Sequence, residues 1–291
     1  MKTMKAWIDG RIMDGADAVT PVMDHGFLYG DGVFEGIRIA HGRIFRLDDH
    51  LDRLANSARL ISLELPATLT ELREATLATA RAFGEAEAYV RLIVSRGVGP
   101  FGVDPTPCVS PKFICLVGSV ALYPEERRRL GLRLITASTR RPSPDVLDSR
   151  VKSLNYLNNI QAKLQAVRAG ADDALLLNQS GRVAEASVAN VFCVRAGVLM
   201  TPPLYEGPLG GITRDSVLKI ARASGMEAIQ EPLTRYDLVT AEEVFLTGSG
   251  AGLVPVAELD GSQIGAPDER PVATRLGGAL DDFRRGNGAA F

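Results

Sequence analysis

The sequence holds only three cysteines, Cys108, Cys115 and Cys193, an odd number without Cys-x-x-Cys spacing. A disulfide framework and the common zinc-site spacings are therefore excluded, and a reducing compartment fits. No run of about 18 apolar residues occurs, so no membrane-spanning helix is expected. The N-terminal stretch meets an acid, Asp9, before an apolar signal core could form, which points to the cytoplasm. Charge of one sign is also missing. Lys and Arg total 33 against 35 Asp and Glu, a net charge of −2 that gives no bulk attraction to nucleic acid or an anionic membrane. The basic run Arg127-Arg128-Arg129 reads as a solvated helix face. Internal repeats are absent too.

What remains is the composition of a globular protein, 46% hydrophobic, and 291 residues are enough for two domains with separate cores. We expect a small N-terminal domain over 1–118, a connection over 119–130 around Pro124, and a larger C-terminal domain over 131–291. Short strands are expected at Lys5–Ile8, Arg11–Met13, Gly32–Ile39 and Arg43–Arg46, then at Tyr89–Ser95 and Lys112–Val117. Leu47, Leu51 and Leu54 at helical spacing predict a helix over Arg46–Arg59, and a second is expected over Leu69–Phe83. In the second half, strands are expected at Arg133–Ala137, Asp173–Asn178, Val183–Ala184, Asn190–Arg195 and Glu243–Thr247. Leu154, Leu157, Ile160, Leu164 and Val167 predict an amphipathic helix over Lys152–Ala169, closed by Gly170. Thr213 is expected to cap a helix running to Ser224, and the tail Arg284–Phe291 is expected to fray. Gly97–Gly102 matches Gly-x-Gly-x-x-Gly, but Pro105 and Pro107 follow too soon for the helix that a dinucleotide site requires.

Chemistry concentrates in a few stretches. Lys152 opens Lys-Ser-Leu-Asn-Tyr-Leu-Asn-Asn, where a positive helix end and partial burial would favour the nucleophilic amine. Tyr156 follows four residues later, one helical turn on. Glu185 lies in Gly-Arg-Val-Ala-Glu-Ala-Ser-Val-Ala-Asn. Gly210-Gly211-Ile212-Thr213 joins small residues to a helix N-terminus, a natural place for a phosphate, and Gly248–Gly252 adds amides and the Ser249 hydroxyl. Arg53, in His50-Leu51-Asp52-Arg53-Leu54, could clamp an anion. An amine, a carboxylate and a phosphate cradle are what pyridoxal phosphate needs from a protein.

Together with Tyr29–Arg38 (Tyr-Gly-Asp-Gly-Val-Phe-Glu-Gly-Ile-Arg) and Tyr89-Val90-Arg91, these stretches resemble the branched-chain aminotransferase-like family of pyridoxal phosphate enzymes, fold type IV. The likeness spans nearly the whole chain in order. It implies a two-domain α+β or α/β fold like that of D-amino acid aminotransferase, with a small α/β domain and a larger domain built on a pseudo-barrel sheet. It implies that Lys152 carries the cofactor and moves the proton, that Glu185 meets the pyridine nitrogen, and that Tyr156 meets the phenolic oxygen. Arg53, the amides of Ile212 and Thr213, and Ser249 would hold the phosphate.

The resemblance extends to substrate. Tyr89 and the amides of Gly250 and Ala251 would receive an α-carboxylate, with Arg91 supporting Tyr89 and offering a partner for glutamate's second carboxylate. Phe34 and Tyr156, with Tyr29 and Val103 from a partner subunit, would wall an apolar pocket; Arg38, closing Phe-Glu-Gly-Ile-Arg, counts with the substrate residues. The implied reaction transfers the amino group of L-leucine, isoleucine or valine to 2-oxoglutarate, in a homodimer or larger homo-oligomer, with amino and 2-oxo acids as its partners. D-amino acid or R-amine transamination and aminodeoxychorismate lyase chemistry stay open. Glu185-Ala186-Ser187-Val188-Ala189-Asn190 and Gly252-Leu253-Val254-Pro255 depart from the usual branched-chain patterns. The expected Arg-x-His pair of D-amino acid members is missing from Gly97–Pro105.

Overall fold

A computed structural model describes residues 3–266 and 269–291. The chain divides into two compact units. The first comprises Met1–Val120, Val151–Tyr156 and Arg284–Phe291, and the second Ala121–Arg150 and Leu157–Phe283.

The first unit is built on a seven-stranded sheet. Its strands are β1 (Lys5–Ile8), β2 (Arg11–Asp14), β3 (Gly32–Ala40), β4 (Arg43–Phe45), β5 (Ala88–Ser95), β6 (Lys112–Gly118) and the terminal strand Gly288–Ala290. Every pairing is antiparallel. Along β5, Val90, Leu92 and Val94 alternate inward and meet Phe113, Cys115 and Val117 of β6 in one core. Among its described residues the α-helices are α1 (His25–Tyr29), α2 (Leu47–Leu60) and α3 (Leu69–Phe83). Leu47, Leu51, Leu54 and Ala58 form the apolar stripe of α2, and α3 starts on a Thr68/Glu71 capping box and stops at Gly84 in the left-handed region. The tail does not fray. Ala289 and Ala290 pair with Ile44 and Arg43 of β4, so edge hydrogen bonds hold a stretch that lacks bulky side chains.

The second unit carries a nine-stranded sheet. It contains β7 (Leu132–Thr136), β8 (Asp173–Leu177), β9 (Val183–Ala186), β10 (Asn190–Arg195) and β11 (Val198–Thr201). Completing it are β12 (Ala228–Gln230), β13 (Glu243–Gly248), β14 (Gly252–Leu259) and β15 (Ser262–Gln263). The ladder runs β12-β11-β10-β13-β14-β7-β8-β9, with β15 on β14. β9 ends this path, yet only Ser187–Ala189 join it to β10 near the opposite end, so the sheet curls into a half-barrel. Leu175 and Leu177 point into the main core, while Ala174 and Leu176 face a helix. The helices of this unit are α4 (Glu125–Leu130), α5 (Pro144–Leu147), α6 (Leu157–Arg168), α7 (Ile212–Ala223), α8 (Arg235–Val239) and α9 (Pro271–Gly286), the last running on into the first unit's tail.

Three sequence expectations are corrected here. The helix expected from Lys152 begins only at Leu157, because backbone groups of 152–154 bond to β3 instead: Phe34 N–H donates to Lys152 O at 2.9 Å and Leu154 N–H to Gly32 O at 2.8 Å. The apolar stripe of that helix is its exposed side: Leu157, Ile160, Leu164 and Val167 are exposed, whereas Ala162 and Ala166 pack on β8. On α7 the cap is Gly211, and Thr213 lies inside the first turn.

Candidate active site

The residues singled out from the sequence fall into two groups, one in each unit. In the first, strand geometry divides β3 between two jobs, since neighbouring side chains point to opposite faces. Phe34 and Gly36 share one face. Lys152 Nζ lies 4.5 Å from the centre of the Phe34 ring and 3.1 Å from the Tyr156 hydroxyl. The two rings meet edge-on, 5.0 Å apart at 74°. Arg91 sets its guanidinium 4.5 Å from the same Phe34 ring and 5.7 Å from that of Tyr89. Gly36 leaves room for the Tyr89 hydroxyl, since a Cβ would fall 1.8 Å from it. Lys152, Tyr156, Phe34, Tyr89 and Arg91 thus form a cluster of amine, phenols and guanidinium around one aromatic ring. The lysine and Tyr156 sit on an irregular segment rather than on one helix face.

Glu35 and Ile37 take the other face of β3, toward α2. Arg53 grips the Glu35 carboxylate with Nε on Oε1 and Nη2 on Oε2, both at 2.7 Å, and His50 Nδ1 lies 2.7 Å from Oε2. Glu35 and His50 are wholly buried. Burial opposes ionisation of Glu35, but the Arg53 guanidinium and the His50 ring outweigh it, and the carboxyl is held far below its usual range. Burial pushes the His50 ring down, against the pull of Glu35. Arg53 was expected from the sequence; its two partners were not, although both lie in the quoted stretches.

Arg38, opposite Tyr89 in the β3–β5 register, and the other expected residues of this unit make contacts of their own. Arg38 pairs with Glu87 at 2.7 Å. Tyr29 accepts a hydrogen bond from Gly102 N–H at 3.1 Å, and Val103 is 85% exposed.

In the second unit Glu185, on β9, is buried and fully engaged. Its Oε1 accepts from Arg141 Nη2 at 2.5 Å, and its Oε2 from Asn190 Nδ2 and Leu209 N–H, each at 3.1 Å. Arg141 also donates to Asn159 Oδ1 at 3.0 Å, and Asn159 donates to Ser187 O at 2.6 Å. Arg141, Asn159 and Asn190 were given no role from the sequence: Arg141 sits in a Pro-rich loop whose fold alone brings it here. Gly211 is bare for a local reason, since a Cβ would lie 2.0 Å from Asn190 Oδ1.

α7 begins at Ile212 without a side-chain cap, so Ile212 and Thr213 occupy its first turn, where amides point out of the helix end. The Thr213 and Thr247 hydroxyls are buried with no hydrogen-bond partner. Such atoms suit an anion's oxygens, and a phosphate fits them. Arg214, buried beside them on α7, has its pKa pushed down to about 10 by burial. Ser249 and Gly250 form the turn between β13 and β14, and Arg128 Nη1 holds the Ala251 carbonyl at 2.6 Å. Among the described residues no group of His, Cys, Asp and Glu could hold a metal ion. None of their helices is long and apolar enough to cross a membrane.

A lysine amine beside a phenol, a buried carboxylate with three donors, and a helix start with unsatisfied hydroxyls are the parts of an aminotransferase-type site. Residues 32–259 match the family described as amino-transferase class IV, and the chain belongs to that family. A Methanocaldococcus jannaschii protein, itself only provisionally assigned as a branched-chain-amino-acid aminotransferase, is 45% identical over 282 residues, covering 97% of this chain and 96% of that one. The Pseudomonas aeruginosa branched-chain-amino-acid aminotransferase is 35% identical, covering 96% of this chain and 92% of its own. Among solved structures, the Thermobaculum terrenum branched-chain amino acid aminotransferase in its PLP form superposes with a TM-score of 0.89 at 29% identity, covering 99% of this chain and 96% of that one.

Proposed function

We propose that the protein is a pyridoxal phosphate-dependent aminotransferase that moves the amino group of leucine, isoleucine or valine to 2-oxoglutarate. The observation that carries this is Lys152 Nζ held 3.1 Å from the Tyr156 hydroxyl and against the Phe34 ring, in a chain whose relatives are named for that class of reaction. Bound pyridoxal phosphate supplies an aldehyde that captures amines and a ring that stores the electrons left when a Cα–H bond breaks.

The chain's residues do the rest. Lys152 Nζ would carry the proton between the substrate's Cα and the cofactor's C4′, and Tyr156 would steer the amine through its hydroxyl. Glu185, kept in one orientation by Arg141, Asn190 and Leu209 N–H, holds the proton on the pyridine nitrogen. Arg53, the Ile212 and Thr213 amides and the Ser249 hydroxyl would offer donors to the phosphate. Tyr89 and the Gly250 and Ala251 amides receive the α-carboxylate. A branched alkyl chain costs only desolvation against Phe34, whereas glutamate's second carboxylate needs a cation, and Arg91 is that cation.

The acting form is a homodimer in the cytoplasm. Supporting this, Phe27, Phe101, Val103 and Val109 are exposed apolar side chains of the first unit, of the kind that subunit contacts cover. Tyr29 and Val103 would then serve the partner's pocket, and sedimentation showing a fully active monomer would refute that.

The test is a panel of L- and D-amino acids and R-amines with 2-oxoglutarate or pyruvate as acceptor. Glutamate formation from L-leucine is expected; a preference for D-alanine or an R-amine, or pyruvate release without an acceptor, rejects the reading. Borohydride reduction followed by peptide mapping should leave the label on Lys152, and Lys152→Ala should abolish turnover.

A further inference from the structure

The Arg53 guanidinium, assigned above to the phosphate, does not act alone. It is gripped on two nitrogens by Glu35, an acid with no exposed surface, which is itself fixed by His50. The arrangement is costly by simple electrostatics. A buried carboxylate cancels the cation that a phosphate needs, and its own charge repels the incoming dianion. If attraction alone mattered at this position, Glu35 would weaken binding.

What Glu35 gains is orientation. A two-point fork fixes both the plane and the rotation of a guanidinium, which a single contact leaves loose. His50 completes the lock. With a carboxylate oxygen 2.7 Å away, the His50 ring carries a proton on Nδ1 and donates it to Oε2. The ring's other nitrogen, Nε2, is buried with no partner, so His50 is spent on this one contact at the expense of its second. β3 sets Glu35 one residue from Phe34, and α2 sets His50 and Arg53 three residues apart on one face.

We propose that Glu35 and His50 are positioning residues for phosphate recognition, holding Arg53 in the one orientation that suits the cofactor's phosphate and thereby discriminating phosphorylated from unphosphorylated cofactor. This rests on the assignment of Arg53 to the phosphate. The two accounts of Glu35 predict opposite signs. As an orienting group its loss weakens phosphate binding; as a stray charge its loss strengthens it.

The experiment measures dissociation constants of pyridoxal phosphate and of pyridoxal for the full-length chain and for Glu35→Gln, by absorbance titration, with thermal melting as a check on folding. The unaltered protein should prefer pyridoxal phosphate strongly. Glu35→Gln should weaken pyridoxal phosphate about tenfold or more while leaving pyridoxal within about twofold, as expected when a charge-assisted pair is broken. Arg53→Lys, which keeps the charge without the fork, should do the same, and His50→Asn should act in the same direction to a smaller extent. Tighter or unchanged binding of pyridoxal phosphate by Glu35→Gln overturns the proposal, and so does equal weakening of both ligands. An unaltered protein without any preference for the phosphate would instead overturn the assignment of Arg53 itself. If Glu35→Gln does not fold, Glu35→Asp, which keeps the charge but shortens the arm, should show the same loss of preference.

Discussion

Among the described residues each unit holds a buried glutamate gripped by an arginine, Glu35 by Arg53 and Glu185 by Arg141, and the two pairs differ in which member is assigned to the cofactor. In the first, Arg53 is the member assigned to the cofactor and Glu35 its support. In the second, Glu185 is the assigned member and Arg141 its support. The first pair is a two-point fork backed by a histidine; the second is a single contact backed by Asn190 and the Leu209 amide. The first arrangement fixes the plane and direction of a guanidinium, whereas the Glu185 carboxylate is held in one orientation by three donors from separate segments.

The comparison breaks most sharply at Arg141. Arg141→Met leaves Glu185 buried without its cation and should destabilise the fold by about 3–5 kcal/mol, read as a shift in urea midpoint. Stability within about 1 kcal/mol of the parent would show that Asn190 and Leu209 suffice. Glu185→Gln probes the functional member: cofactor should still bind, but turnover should fall by about a hundredfold or more, equivalent to about 2.7 kcal/mol in the barrier.

Acid titration sharpens the contrast at the first pair. Glu35 is held below its usual range when folded, so the stability it contributes is complete above its unfolded value of 4.5 and drains away as pH falls below that. Glu35→Gln should flatten this acid limb of the stability curve; an unaltered limb would mean that Glu35 is not the titrating group. The smallest effect is expected at Phe34, which borders two cations outside either pair. Phe34→Leu should cost about 1 kcal/mol by removing the ring's attraction for Lys152 and Arg91, again measured in urea.

Local signals were legible and long-range ones were not. α3 is readable to the residue, and the features that bound it, the Thr68/Glu71 capping box and Gly84, are local to the chain. The start of α6 was misread because residues 152–154 satisfy their backbone bonds on β3, far upstream, and nothing between Lys152 and Leu157 announces it. The same helix packs Ala162 and Ala166 on β8 and leaves its larger apolar residues outward, which periodicity alone does not reveal. In the site, Lys152, Arg53 and Glu185 stood out by residue type and context. Their supports did not: Arg141 looks like loop and His50 like helix until the fold brings each to its glutamate.

Gly36 and Tyr89 carry a consequence for how such chains can vary. The phenol oxygen occupies the volume that any side chain at 36 would claim. Position 36 therefore cannot grow alone: a descendant that gained a methyl there would first have to shrink or swing away the residue at 89, whereas 89 can shrink while 36 stays glycine.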